Sequence, residues 1–437
     1  MGLRAVLGAP VPAASLRAFR VLFGLLAALA AVRFVALGWV HELLVAPRFH
    51  FAFVEGVSPA PEAVLYAVFA VQAAAGLAVA LGVWSRPALA VWLVSFGYVE
   101  LLDKALYLNH YVLFSLLGLW LFVAPVHGPR SDRPSHVPAW ALYLLRAQVA
   151  TVYLWAGLAK LNADWLLAAQ PLRTWLGARA DVPVLGPLLA SSITAYGMSW
   201  AGALYDLLIP ALLLWRRTRG VGLLLVAGFH VAVGLLFPIG VFPLIMMASA
   251  TLFLDPEWPT QVRSRLRGPD QRPEPPTPRG LGRGATVLWC ATVGTMVLFP
   301  ARFLLYGDHP SWTDVNWTER GYRFAWRVLL NEKTGLVDFR VVERGSGRVW
   351  RVMPSHELSE LQHAQLRTQP DLMRDYALHL QDLHRREGRD VAVYADAWVS
   401  LNGRPSQRIL RDDLDLTLPL SELDRRGFIL PLVEPAR

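Results

Sequence analysis

The sequence predicts a mainly α integral membrane bundle of about nine transmembrane helices, carrying a C-terminal extracytoplasmic α+β domain. Three observations predict it. Hydrophobic residues make up 54% of the 437 positions and charged residues only 17%, which is not the composition of a soluble globular chain. Several windows hold the roughly 17 to 20 mostly apolar residues that cross a bilayer as a helix. From residue 307 onward the pattern changes to alternating and amphipathic runs, the signature of a soluble domain.

The spans fall at 17–38, 62–83, 87–103, 110–126, 139–159, 199–215, 220–237, 239–254 and 285–306. The first opens like a signal peptide, with Arg17 and Arg20 ahead of an apolar stretch and "ALAAV". It runs longer than a cleavable segment and more spans follow, so it reads as an anchored helix. Eight spans make one bundle over 1–254, and a Pro/Arg-rich cytoplasmic linker fills 255–284. The ninth span is 285–306, and the extracytoplasmic domain is 307–437. The stretch 160–198 is neither a clean span nor very polar. It reads as a re-entrant or interfacial piece, tolerated where protein or water satisfies its backbone.

Arginine sets the orientation. With Arg4 and Arg17 in the cytoplasm, the alternate connections carry Arg86, Arg130 and Arg133, "RRTR" at 216–219, and Arg263, Arg265, Arg267, Arg272, Arg279 and Arg283. The opposite connections hold only Arg48, Lys104, Lys160, Arg173 and Arg179. This positive-inside asymmetry places the N-terminus inside, the tail outside, and Asp103, Lys104, His110 and Lys160 at the outer face. A multi-pass membrane protein with a cytoplasmic N-terminus is implied. The net charge of +9 is thus an orientation signal rather than a nucleic-acid footprint.

In the tail, "VDFRVVERGSGRVWRV" alternates around a Gly-Ser-Gly turn and predicts a hairpin. "PDLMRDYALHLQDLHRRE" has helical spacing with Pro370 at its start. "VAVYADAWVSLNGRPSQRIL" predicts a second hairpin turning at Asn402-Gly403.

Three stretches could carry chemistry. "ELLDKALYLNHYVLF", 100–114, crowds Asp103, Lys104, Asn109 and His110 between two spans, and ionisable groups at membrane depth are functional candidates. The plain alternative is a snorkelling Lys104 paired with Asp103. In the fifth span Arg146, Tyr153, Gly157 and Lys160 share one helix stripe. Gly157 leaves room beside Lys160 for a ligand or another helix. Only three lysines occur in the chain, Lys104, Lys160 and Lys333. Arginine keeps its proton under ordinary conditions, whereas a buried lysine can give it up and act as a base. Against this stands an anchoring Lys160 beside Asp164, which would keep the amine protonated. The third stretch, 229–259, puts His230 mid-span among aromatics, where a satisfied interhelical histidine is the plain reading. The single Cys290 allows neither an intrachain disulfide nor a metal box. No Gly-rich phosphate loop or serine nucleophile elbow is present, and no metal is predicted.

Together "LLDKALYLNHYVLF", "LRAQVATVYLWAGLAKLNADW" and "FHVAVGLLFPIGVFPLIMMASATLFLDPEWP" resemble the vitamin K-dependent γ-glutamyl carboxylase family and the bacterial group sharing its transmembrane domain. "NWTERGYRFAWR" and "VYADAWVSLNGRPSQRIL" look like the family's lumenal domain. The resemblance implies reduced vitamin K, or a menaquinol-type hydroquinone, with O2 and CO2 as co-substrates. It implies that Lys160 is the base that removes a hydroquinone proton. Oxygenation then yields an epoxide and an alkoxide strong enough to deprotonate a glutamate γ-carbon, which captures carbon dioxide. His110 matches a histidine linked to carboxylation, and Asn109, Tyr153, His230 and Asp103 are implied members of the cofactor pocket. The implied partners are the lipid bilayer, a lipophilic quinol and a glutamate-containing peptide or protein.

The sequence also departs from the family. Cys290 alone cannot form the animal members' disulfide, and Asn162 stands where those members carry an acid. "NWT" at 316–318 matches a glycosylation sequon by pattern only. A quinol epoxidase without carboxylation and a non-enzymatic membrane scaffold or lipid carrier are the rival expectations.

Overall fold

The computed structural model describes residues 2–127, 135–268, 276–306 and 314–434. Arg130, Arg133 and Arg272, used above for orientation, lie outside the described residues. Six described helices are long and apolar enough to cross a membrane. They are α1 (Ala14–Ala36), α2 (Glu62–Leu81), α5 (Ala139–Ala159), α6 (Ser192–Leu214), α7 (Arg219–Leu236) and the run Arg283–Leu305, whose α-helical part is α9 (Arg283–Leu298). The other three predicted spans are helical but fall short. They are α3 (Ser85–Leu102), α4 (Asn109–Val123) and α8 (Phe242–Ala250), the last continued by a 3-10 turn over Thr251–Phe253.

The physical reasons are local. Arg86 and Glu100 lower the hydropathy of α3. The 15 residues of α4 rise only about 22 Å at 1.5 Å each, short of a hydrocarbon core of about 30 Å. Ahead of α8, Pro238 and Gly240 break the helical path, and Gly240 adopts φ +60°. The sixth predicted span starts earlier than expected, at Ser192, and the remainder of 160–198 forms three short helices, Ala163–Ala168, Leu172–Gly177 and Gly186–Leu189.

Small residues set the closest helix approaches, as expected where lipid removes the hydrophobic drive between helices. A Cβ on Gly24 of α1 would lie 2.5 Å from Gly76 O and Ala80 N of α2. A Cβ on Gly157 of α5 would lie 2.9 Å from the backbone N of Leu207 in α6. Gly157 therefore makes room for a helix, not for a ligand. α9 buries none of its residues in the bundle and exposes Cys290. It is tied to α5 by Trp289 Nε1 donating to Trp140 O at 3.2 Å and Trp155 Nε1 donating to Val297 O at 2.9 Å.

The C-terminal domain is a four-stranded antiparallel sheet in the order β2-β1-β3-β4. Its strands are β1 (Lys333–Glu343), β2 (Val349–Val352), β3 (Val391–Leu401) and β4 (Gln407–Arg408). β1 pairs with β2 from Phe339↔Val352 to Val342↔Val349, and with β3 along its whole length. The second hairpin turns at Asn402 (φ 52°) and Gly403 (φ 77°), the two positive φ angles that favour Asn-Gly in a tight hairpin. Helix α10 (Pro370–Arg386) packs Leu372, Met373, Tyr376, Ala377 and Leu380 against the sheet.

The two ends of the bundle are distinct. At one end the domain docks on 48–53, 103–109 and 160–175. Arg48 N donates to Glu357 O at 2.9 Å, and Lys104 Nζ lies 2.7 Å from Asp375 Oδ2. Asp103 Oδ2 accepts from Gln362 Nε2 at 2.6 Å. At the other end the N-terminal segment, the connection before α5 and the linker meet. There, a strand pair joins Pro10–Pro12 to His136–Pro138, and Leu281 N donates to Arg4 O at 2.9 Å. These are the two groups of connections that arginine content separates.

Candidate active site

Lys160 ends α5. It is 5% exposed, and its Nζ lies 2.8 Å from Asp206 Oδ2 on α6. The close helix approach at Gly157 brings the two side chains together. Lys160 Nζ also donates to Ala156 O at 3.3 Å and sits 5.1 Å from the Trp165 ring centroid. The amine thus faces one carboxylate, one carbonyl and an aromatic face, and Asp206 is its one ionic partner among the described residues.

The cavity beside this pair is small, about 70 Å³. Tyr153, Trp165, Trp175, His230 and Phe242 form much of its wall. Tyr153 Oη lies 3.0 Å from His230 Nε2, and Tyr205 Oη donates to Tyr153 Oη at 3.4 Å. His230 Nδ1 is buried and has no hydrogen-bond partner among the described residues. A buried polar atom without a partner costs free energy, so this nitrogen is a position where a guest's hydroxyl would be stabilised.

His110 does not share this cavity. It packs against Tyr111 and Phe242, with ring centroids at 4.6 and 5.8 Å, and lines a neighbouring cavity of about 240 Å³. Phe242, Val328 and Leu329 line both cavities and stand between them. A third cavity, polar and about 530 Å³, opens between the bundle and the C-terminal domain. It meets the His110 cavity at Leu108, Asn109 and Arg327. Its cations are Lys104, Arg323, Arg327, Lys333 and Arg367, and its acids Glu319 and Glu332. The three cavities therefore run in series from the mouth beside the C-terminal domain to Lys160. A further cavity, about 790 Å³, is apolar, lies between α3, α4 and α9, and shares no lining residue with that of Lys160.

The partition is built by the loop that enters the domain. Asn109 Nδ2 donates to Arg327 O at 2.9 Å, and Asn109 Oδ1 accepts from Tyr107 Oη at 2.9 Å. Phe324 N donates to Tyr107 Oη at 2.6 Å. Glu319, Phe324, Trp326 and Leu329 all adopt positive φ, between 48° and 62°. Such backbone is strained for residues with side chains and persists where the surroundings enforce it.

Residues 9–258 match the HTTM domain, and residues 283–435 match the lumenal domain of vitamin K-dependent gamma-carboxylase. The chain belongs to the vitamin K-dependent gamma-carboxylase family. No solved structure matches it.

Within this carboxylase-family chain, the structure gathers Lys160, Tyr153 and His230 around one cavity, and sets Asn109 and His110 at the next. Asp103 lines neither. Its two carboxylate oxygens are taken by Ala105 N at 2.8 Å and Gln362 Nε2 at 2.6 Å, which makes it a docking residue. Burial pushes its carboxyl up to about 6 against those hydrogen bonds. The anticipated Lys104–Asp103 pair is replaced by Lys104–Asp375. Arg146, on the stripe of Lys160, donates to Leu252 O at 2.8 Å and Leu254 O at 3.2 Å, so it holds the end of the 3-10 turn that continues α8.

Asp164 is not the counter-ion of Lys160 either; Arg404 and Asn402 hold it. Asn162 caps the helix Ala163–Ala168 by accepting from Trp165 N at 3.0 Å. Asn316 of the sequon is buried and accepts from Arg327 Nη1 at 2.7 Å. Sequence reasoning missed Asp206, although a lone acid inside the apolar run 192–214 was a visible signal.

Proposed function

We propose that this membrane protein is a carboxylase-family enzyme that oxygenates a lipophilic hydroquinone at Lys160 and couples that step to γ-carboxylation of glutamate. One observation carries the reading most: the Lys160 amine stands at a buried aromatic cavity lined by His230, whose Nδ1 has no hydrogen-bond partner among the described residues. The cavity walls suit an apolar ring bearing hydroxyls. Its present volume does not admit one, since roughly 150 Å³ is what a benzene needs. Displacing Phe242 or Leu329 would join it to the His110 cavity and bring the space near the lower end of ordinary ligand pockets, about 300 Å³.

In this reading Lys160 takes the proton of a hydroquinone hydroxyl, and His230 and Tyr153 orient the ring. The aromatic wall excludes the water that would quench a strong base. Oxygenation of the hydroquinone supplies the base for the glutamate γ-carbon. The glutamate side chain approaches through the polar outer cavity, where Arg323, Arg327 and Lys333 favour its carboxylate. His110 serves the carboxylation half of the path. The N-terminus faces the cytoplasm and the C-terminal domain the outside of a bacterial plasma membrane.

The separation of His110 from Lys160 by Phe242, Val328 and Leu329 favours a second reading, a quinol epoxidase that does not carboxylate. The purified protein, given reduced vitamin K, oxygen, a glutamate peptide and labelled bicarbonate, separates the two. Label in the peptide together with epoxide supports the first. Epoxide alone supports the second, and neither product refutes both.

A further inference from the structure

We infer that Asp206 is the residue that makes Lys160 a strong enough base, by accepting an ion pair from the ammonium formed when Lys160 takes its proton. The inference rests on the reading of Lys160 as the hydroquinone's base and adds the residue through which that amine acts.

The geometry carries it. Lys160 Nζ and Asp206 Oδ2 are 2.8 Å apart, and both side chains are 7% exposed. Asp206 sits in the middle of a membrane-crossing helix, where an acid is costly unless it is used. A lone amine in an apolar recess is easily neutral and correspondingly weak, because protonation would leave a bare buried cation. Beside a carboxylate the same protonation ends in a neutral pair.

The proton balance is simple. The hydroquinone O–H bond breaks, an N–H bond forms at Nζ, and the electron pair stays on the hydroquinone oxygen. The Lys160–Asp206 unit goes from a net charge of −1 to zero, and solvent recovers the proton between turnovers. In this account the ammonium–carboxylate pair is the protonated end of that cycle, and the 2.8 Å separation is within the reach such a pair needs. The other titratable groups facing the pair are Tyr153 on α5, Tyr205 on α6 and His230 on α7. None carries a fixed charge. Asp206 is a positioning residue in this account, since it acts only through Lys160.

The test is a pH–rate profile of epoxidation by the purified protein with reduced vitamin K and oxygen, for wild type, Asp206→Asn, Asp206→Glu and Lys160→Arg. Asp206→Asn should lower the plateau by about tenfold or more and move the acidic limb to lower pH, because an unpaired ammonium loses its proton sooner. Asp206→Glu should restore much of both. His230→Gln in the same backgrounds separates imidazole titration from the shift.

Since the chain has three lysines, nitrogen NMR of 15Nζ-labelled lysine gives a readout independent of turnover. The Lys160 signal should deprotonate at lower pH in Asp206→Asn than in wild type. A reduced rate with an unmoved limb and an unmoved titration would overturn the inference and leave a structural role. Normal turnover in Lys160→Arg would instead overturn the base reading, and the inference with it. If Asp206→Asn does not fold, Asp206→Ser, which also removes the carboxylate, takes its place, and an unmoved limb with an unmoved Lys160 titration there counts against the inference.

Discussion

Arg404 of the C-terminal domain grips Asp164 with both arms of its guanidinium, Nη2 to Oδ1 at 2.6 Å and Nη1 to Oδ2 at 2.8 Å. Asn402, in the same hairpin turn, donates to Asp164 Oδ2 at 2.7 Å. The turn therefore lands four residues after Lys160 and fixes the segment that roofs its cavity. Burial opposes charge on Asp164, but the hydrogen bonds from Arg404 and Asn402 outweigh it and hold the carboxyl below its ordinary value.

Arg404→Ala should loosen the domain from the bundle by about 3 kcal/mol, the cost of leaving a largely buried charge without its partner. Because the folded Asp164 holds its proton less tightly than the unfolded one, its contribution is present above the unfolded value. It is lost as pH falls through the folded value, below about 4. Asp103, raised to about 6, acts in the opposite sense: its contribution weakens as pH rises from about 4 to 6. The Asp164 component is read as the difference between wild type and Arg404→Ala in thermal melts at pH 7 and pH 3. That difference should shrink in acid; a constant difference would contradict the sign.

Gly157→Ala places a methyl 2.9 Å from the Leu207 backbone nitrogen. The helices must part there, at a cost of about 1–3 kcal/mol, and the Lys160–Asp206 contact lengthens. Epoxidation should fall much more than the melting temperature does. Unchanged turnover would show that the close approach is not what sets the pair.

His110→Ala removes a group outside the Lys160 cavity. Carboxylation should fall about a hundredfold, within the usual range for losing an acid–base group, while epoxide formation falls far less. Parallel measurement of labelled carbon dioxide uptake and epoxide decides it. Equal losses would make His110 a wall of a shared pocket.

Much of this was legible beforehand, and the exceptions share a cause. Helix positions followed from apolar runs, and the second hairpin from Asn402-Gly403, because both are local properties. Lys160 stood out because charge at membrane depth is costly. Its partner did not, because adjacency pointed to Asp164 and the true counter-ion is 46 residues away. Asn162 capping its short helix and Arg404 reaching across from the domain explain why Asp164 is engaged elsewhere. The series of cavities depends on Val328 and Leu329 arriving from the domain entry loop, a long-range placement that one sequence does not encode visibly.

The most direct test of the account is epoxide formation from reduced vitamin K and oxygen by purified Lys160→Arg beside wild type. Arginine keeps a positive charge next to Asp206 but cannot offer a neutral amine. Folded protein that forms no epoxide while wild type does is the predicted result. Epoxide at the wild-type rate from Lys160→Arg would contradict it.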